Sequence, residues 1–138
     1  MRVFLCDYGA FFVAIPLHSV ASIALYLDEE AQLDLFTYIE ELRSTFVSLP
    51  HLFNLPENRI QHYIFLKNDE TENTTVLLST KVVCETEISD EETYPVPTTL
   101  SGTRFYMLFS GMLCTRGNPV LLLDTEELLK YVHKEMAL

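Results

Sequence analysis

The residues that could do chemistry are scattered along this chain instead of being grouped as catalysis or metal binding requires. None of the four histidines has the spacing of a helical zinc site, and none stands beside a Cys-x-x-Cys pair. They are His18, His51, His62 and His133. We therefore expect no metal site, and histidines that are solvated or satisfied by hydrogen bonds.

Four pairs of adjacent glutamates could in principle supply two carboxylates for acid–base catalysis. They are Glu29-Glu30, Glu40-Glu41, Glu91-Glu92 and Glu126-Glu127. Adjacent residues on a strand point to opposite faces, so such pairs do not bring two carboxylates to one substrate. We expect them to form solvated surface.

Candidate nucleophiles also lack the neighbours that would activate them. Ser110-Gly111 is without the flanking pattern of a nucleophile elbow, and Cys114 has Arg116 nearby but no phosphate-cradling loop. The chain has only four glycines, too widely spaced for a nucleotide-binding loop. The sequence thus predicts a protein that is not an enzyme and binds no cofactor.

Cysteine content and the N-terminus indicate the compartment. Cys6, Cys84 and Cys114 are too few and too scattered for a disulfide framework, so we expect reduced thiols. Residues 1–7 do not form a signal peptide, and no apolar run approaches the roughly 20 residues of a membrane span. We expect a cytoplasmic protein with no membrane insertion.

Acidic residues dominate the charge of the chain. The 20 Asp and Glu residues outnumber 9 Lys and Arg residues, for a formal net charge of −11. This charge would repel nucleic acids and anionic membranes, whose binding depends on Lys and Arg. It favours partners with basic patches, through faster association more than through affinity. The alternative is that the acidity serves only solubility.

The 138 residues fit a single domain built from short β-strands. Strands are predicted at residues 2–7, 11–15, 19–26, 59–67, 75–79, 105–114 and 119–123. Polar residues 68–73 predict one hairpin loop and residues 115–118 another. Short strands at this spacing are typical of a barrel or a sandwich.

Helices are predicted in fewer places, and one segment is ambiguous. Within residues 29–49 the apolar spacing fits a helix, whereas the residue types favour strands. A helical turn is predicted at residues 49–55. At the C-terminus, Asp124 and Glu127 have the spacing of a capping box before an apolar stripe.

A weak internal repeat is also present. Residues 13–20 (VAIPLHSV) and residues 76–83 (VLLSTKVV) both read as a strand, a break and then valine. The repeat suggests two small subdomains packed into one domain, because neither could bury a core unaided.

The order of these motifs resembles that of CheW-type chemotaxis coupling proteins over nearly the whole chain. The matching segments are FVAIPL (12–17) with Val20, FVSLPHLF (46–53), VLLSTKVV (76–83), YPVP (94–97), and GM (111–112) followed by Gly117 and VLLLD (120–124). The family's central N-L-R-G turn is represented by Glu41-Leu42-Arg43-Ser44, which lacks the glycine, and His51 replaces an acidic residue. The sequence is therefore identified as a divergent member of that family.

The resemblance implies a mainly β fold of two packed five-stranded SH3-like barrels with a short C-terminal helix. It implies a single CheW-like domain over residues 1–138, divided near residues 66–76. It turns the interpretation of residues 29–49 toward two strands.

For function, the resemblance implies a non-enzymatic adaptor that links a chemoreceptor cytoplasmic tip to the regulatory domain of a CheA-type histidine kinase. The expected partner-binding residues are Arg43, Leu42, Phe46, Val20 and Ile23, on the first barrel and the groove between the barrels. The alternative is a CheW-like fold that regulates a different protein partner.

Overall fold

The computed structural model describes residues 1–9, 11–25, 44–52, 60–67, 74–88, 93–95, 107–115 and 117–136. Ten strands run through these residues. They are β1 (Arg2–Asp7), β2 (Phe12–Pro16), β3 (Val20–Leu25), β4 (Ser44–Ser48), β5 (His62–Leu66), β6 (Thr74–Ser79), β7 (Lys81–Glu87), β8 (Thr93–Tyr94), β9 (Phe109–Thr115) and β10 (Asn118–Leu123). The helices are a 3-10 turn (Leu17–Ser19), α1 (Leu49–Leu52), α2 (Thr125–Tyr131) and a π-helical turn (Val132–Met136), and Met107 and Leu108 are also helical.

The strands form two sheets. One is six-stranded, in the order β7-β1-β2-β10-β9-β8, and the other is four-stranded, in the order β3-β5-β6-β4. Pairing is antiparallel except between β2 and β10 and between β4 and β6. The predicted mainly β class with a short C-terminal helix is confirmed, although the described strands divide six and four instead of five and five.

Both halves of the sequence repeat mark places where the chain passes from one sheet to the other. Between β2 and β3 the 3-10 turn carries the chain into the four-stranded sheet, and a single bend at Thr80 between β6 and β7 carries it back. The family comparison matched residues 76–83 as one segment, and the structure divides that segment at this bend. The predicted domain division near residues 66–76 stays a prediction.

Strand alternation explains why several strands are apolar on both faces. In β10, Val120 and Leu122 pack in one buried cluster, while Leu121 and Leu123 face another. β2 alternates in the same way, with Val13 and Ile15 facing the second cluster. A strand covered on both faces needs a continuous apolar run, as these have.

Three buried clusters make up the core. The central core joins both sheets and α2 through Cys6, Tyr8, Val13, Ile15, Val47, Leu49, Ile64, Leu66, Leu77, Leu108, Phe109, Leu123, Leu128 and Val132. The large-sheet core contains Val3, Leu5, Ala14, Ile88, Leu113, Val120 and Leu122. The small-sheet core contains Tyr63, Phe65 and Val76. Because the central core draws on both sheets, neither buries its apolar residues alone.

One predicted strand needs correction, and one ambiguous segment is settled in its described part. The strand predicted at residues 105–114 begins only at Phe109, since Met107 and Leu108 are helical. A short apolar run does not distinguish strand from helix, and here the buried Leu108 carbonyl accepts the Asp124 N–H at 2.8 Å. Within residues 29–49, residues 44–48 form strand β4, as the family comparison indicated and periodicity did not, and Leu49 begins α1. Residues 26–43 lie outside the described residues.

The C-terminal helix confirms half of the predicted capping box. The Asp124 carboxylate accepts the Glu127 N–H at 3.2 Å. The reciprocal bond is not formed, because the Asp124 N–H is already donated to Leu108. The Glu127 carboxylate lies instead 3.4 Å from Lys130 Nζ. The helical turn predicted at residues 49–55 is confirmed as α1, and residues 53–55 lie outside the described residues.

Candidate protein-binding surface

The expected partner-binding residues that the structure describes all lie in the four-stranded sheet. Val20 and Ile23 share β3, and Phe46 is on β4; these are the two outermost strands in the described order of that sheet. The structure therefore brings Val20 and Ile23 together, and β5 and β6 separate them from Phe46 within the sheet. Arg43 and Leu42 lie outside the described residues.

Burial shows how much of each side chain a partner could reach. Val20 and Ile23 are half-buried and pack against the central core. Phe46 is also half-buried, with its ring centroid 6.1 Å from that of Tyr63 in an edge-to-face arrangement. Such a pair stabilises the fold by about 0.5–1.5 kcal/mol beyond the area that it buries. These residues therefore contribute to packing as well as offering apolar surface.

A groove in the six-stranded sheet was not anticipated from the sequence. It has a volume of about 400 Å³ and is lined by Gly9, Phe11, Phe12, Met112, Asn118, Pro119 and Leu121. Its residues come from the turn after β1 and from the strands β2, β9 and β10. The parallel pairing of β2 with β10 places residues more than 100 positions apart side by side, so no local pattern could have revealed it.

The aromatic wall of the groove is held by a ring stack. The Phe11 ring lies 5.4 Å from the buried Tyr8 ring, at an interplanar angle of 15°. The Tyr8 N–H donates to the Phe11 carbonyl at 3.0 Å. Between them, Gly9 has a φ of 85° and donates its N–H to Asp7 Oδ1 at 2.8 Å. This turn therefore holds the aromatic wall of the groove in place.

β8 extends the groove face by a short strand that packs very closely on β9. A Cβ atom at residue 111 would lie 2.6 Å from Thr93 Cγ2 and 3.1 Å from the Tyr94 carbonyl oxygen. Glycine at this position therefore allows β8 to approach. Tyr94 is opposite Met112 in this pairing and is 56% exposed.

The titratable groups with shifted pKa values are poorly placed for chemistry. Burial raises the pKa of the Cys6 thiol to about 12, an effect that the Ser79 hydroxyl partly offsets. Burial likewise raises the pKa of Tyr8, with Cys6 nearby adding to the rise. Both groups lie in the central core, where no substrate reaches them. Burial lowers the pKa of His62, so neutral imidazole is favoured there.

Charged side chains on the described surface do not gather into a site. The described residues contain no group of three or more His, Cys, Asp or Glu side chains that could hold a metal ion. Arg2 on β1 forms a salt bridge with Glu85 on β7, with Nη2 2.6 Å from Oε1, and both side chains are exposed. Over the same part of the chain, none of the helices has the length and apolar character needed to cross a membrane.

No protein-family model matches the chain, and no curated protein matches it significantly. Among solved structures, it is similar to the crystal structure of scaffolding protein TtCheW from Thermoanaerobacter tengcongensis, with a TM-score of 0.64 at 10% sequence identity. The match covers 89% of this chain and 83% of that one. This chain therefore has the fold of a CheW scaffolding protein, in a divergent sequence.

Proposed function

We propose that the protein is a cytoplasmic, non-enzymatic adaptor that couples chemoreceptors to a CheA-type histidine kinase. The observation that carries this proposal is the CheW-like fold, which extends over most of both chains. Further support comes from the ordered motifs of the sequence, which run from Phe12 to Asp124. The net charge of −11 would speed association with basic partner surfaces.

An adaptor of this kind works through exposed surfaces, and its strands supply them. We assign partner binding to Arg43 and Leu42, together with Phe46, Val20 and Ile23. The last three are half-buried on the outermost described strands of the four-stranded sheet. Strand edges bind partners by adding strands, and the half-exposed apolar side chains add affinity. Arginine, like Trp and Tyr, is enriched among the few interface residues that contribute most of the binding energy, which favours a role for Arg43.

Isothermal titration calorimetry with a CheA-type regulatory domain, and separately with a receptor cytoplasmic tip, tests the proposal. We expect wild-type protein to bind both. Absence of binding to either at 100 μM, a threshold of about −5 kcal/mol, would contradict the coupling role.

A charge-matched pair of variants then tests the assigned surface. Arg43→Glu should weaken binding at least tenfold while the thermal midpoint stays nearly unchanged. Lys81→Glu makes the same change in net charge at an exposed position of the other sheet, and should bind as wild type does. A large drop in thermal midpoint for Arg43→Glu would show that Arg43 is structural instead.

A second candidate function is a CheW-like regulator of a different protein partner. Two departures from the family favour it: Ser44 begins β4 where the family has glycine, and His51 is exposed on α1 where the family has an acid. The backbone N–H of His51 donates to Ser48 Oγ at 3.3 Å, so this bond does not use the imidazole. This function predicts that wild type does not bind the kinase domain, whereas Ser44→Gly combined with His51→Asp does.

A further inference from the structure

A buried pair of hydroxyl groups joins two distant parts of the chain. Ser19 Oγ and Thr125 Oγ1 are 2.7 Å apart, which is a hydrogen bond between residues 106 positions apart in the sequence. Both residues are buried. Ser19 ends the 3-10 turn through which the chain enters the four-stranded sheet, and Thr125 is the first residue of α2. The bond therefore ties that entry point to the C-terminal helix.

Each side of this pair is held in turn by a backbone hydrogen bond. The Ser19 carbonyl accepts the Lys67 N–H at 2.8 Å, which joins Ser19 to the end of β5 in the four-stranded sheet. Asp124, the neighbour of Thr125, donates its N–H to the Leu108 carbonyl at 2.8 Å, directly before β9 of the six-stranded sheet. The hydroxyl pair is thus the middle link in a series of bonds that runs from one sheet to the other.

The strand that follows Ser19 depends on this link for its position. Val20 opens β3, and the pairing of β3 with β5 shifts register between Val20 and Ser22. A bulge of this kind interrupts the ladder, so the rest of β3 does not fix Val20. Val20 also packs against the central core, to which α2 contributes Leu128. Such packing is non-directional, whereas the Ser19–Thr125 hydrogen bond constrains both distance and direction.

We propose that Ser19 and Thr125 are positioning residues for β3, the strand that carries Val20 and Ile23. Their bond holds the start of β3 at one place relative to α2 and the six-stranded sheet. The part that concerns partner binding rests on the proposed adaptor function, since that function assigns binding to Val20 and Ile23. Both hydroxyl groups are buried, so they act through β3 and not by touching a partner.

Amide hydrogen exchange of the full chain, followed by NMR, tests this coupling without any partner. Thr125→Val removes one hydroxyl and keeps the shape of the side chain. We expect it to accelerate exchange of the Lys67 N–H, which is bonded to Ser19, about fivefold relative to the centre of β2. This factor corresponds to one hydrogen bond of about 1 kcal/mol, at about 1.4 kcal/mol per tenfold. Ser19→Ala should accelerate exchange of the Asp124 N–H by a similar factor.

Three further variants separate positioning from a general loss of stability. Thr125→Ser keeps a hydroxyl, so the Lys67 N–H should exchange as in wild type. Gly117→Ala strains the turn between β9 and β10, away from this bond, and should accelerate exchange of the Lys67 and Asp124 N–H groups no more than in β2. In the double variant of Ser19→Ala and Thr125→Val, the acceleration should be smaller than the product of the single effects, because both substitutions remove the same bond.

Calorimetry with the kinase domain and the receptor tip measures the consequence for binding. Thr125→Val should weaken binding of the partner that contacts β3 at least threefold, whereas Thr125→Ser and Gly117→Ala should bind as wild type does. Unchanged Lys67 exchange in Thr125→Val, or equal acceleration by Thr125→Val and Thr125→Ser, would overturn the inference. Wild-type affinity of Thr125→Val for both partners would overturn the role in binding.

The two experiments also separate this inference from the proposed adaptor function. If exchange shows the coupling while neither kinase nor receptor binds to wild type, the link between α2 and β3 stands and the adaptor function fails. If both partners bind while the coupling is absent, the adaptor function stands and the positioning role of Ser19 and Thr125 fails.

Discussion

Close packing of β8 against β9 makes Gly111→Ala the most informative single substitution. The added Cβ would lie 2.6 Å from Thr93 Cγ2 and 3.1 Å from the Tyr94 carbonyl oxygen, so either the Thr93 side chain or the strand that carries it must shift. Gly111 does not have positive φ, and alanine is therefore compatible with its backbone. The cost comes from steric overlap and not from backbone strain.

The magnitude follows from two opposing effects. Overpacking costs about 1–3 kcal/mol, whereas replacing glycine by alanine in a strand recovers about 0.5–1 kcal/mol. The difference lies between zero and about 2.5 kcal/mol, so we expect the free energy of unfolding to fall by about 1 kcal/mol. With an m value of about 1.5 kcal/mol/M, the urea midpoint should fall by roughly 1 M.

A double-mutant cycle identifies the clash as the cause. Thr93→Ser removes Cγ2, the atom nearest the new Cβ, so Gly111→Ala should cost less in that background. Gly117→Ala is the control, because Gly117 has a φ of 79° and nothing within 4 Å of an added Cβ. Its cost, about 1–2 kcal/mol from the left-handed conformation, should be the same in both backgrounds. An equal cost of Gly111→Ala with and without Thr93→Ser would refute the steric explanation.

Three other predictions concern stability. Asp124→Ala should lower the free energy of unfolding by about 1 kcal/mol in urea denaturation, because it removes the cap on the Glu127 N–H, while Asp124→Asn should retain most of it. Leu122→Asp should abolish the cooperative transition seen by near-ultraviolet circular dichroism, because it places an unpaired carboxylate in the large-sheet core; a native-like spectrum would contradict this. The pKa of Cys6 is raised from 9.0 to about 12, so the unfolded state loses this proton first. The stability that the protonated Cys6 thiol contributes is intact below pH 9. It falls as the pH rises toward 12, by up to about 1.4 kcal/mol per pH unit. Urea titrations from pH 8 to 11 should show a smaller decline in Cys6→Ala than in wild type.

Local sequence patterns anticipated the elements that depend on neighbouring residues. β1 has the predicted bounds, and the turn at Gly117 joins β9 to β10 as expected. The Asp124 cap is also a local feature, since its partner is only three residues away. Where a pattern fitted two structures, as at residues 44–48 or at Met107 and Leu108, packing decided between them.

The binding surface was less accessible to sequence reasoning. Phe46, Val20 and Ile23 were selected from the family resemblance, and their role stays a prediction. The groove was missed because Phe11 and Leu121 are ordinary strand residues in sequence, and they meet only when β2 pairs with β10. The sequence around Tyr94 did not indicate an exposed aromatic side chain, because the exposure of Tyr94 depends on tertiary packing around β8.

The sequence by itself determined that the chain forms short strands, which of them are apolar on both faces, and where the last helix begins. These properties follow from side-chain periodicity and from hydrogen bonds between residues a few positions apart. Only the tertiary structure decided the six-and-four division of strands and the parallel contact of β2 with β10. It also decided that the Asp124 N–H donates to the Leu108 carbonyl and not to the Glu127 carboxylate. Each of these depends on contacts between distant segments, and a fully apolar strand can pair equally well with several others until the whole core is packed.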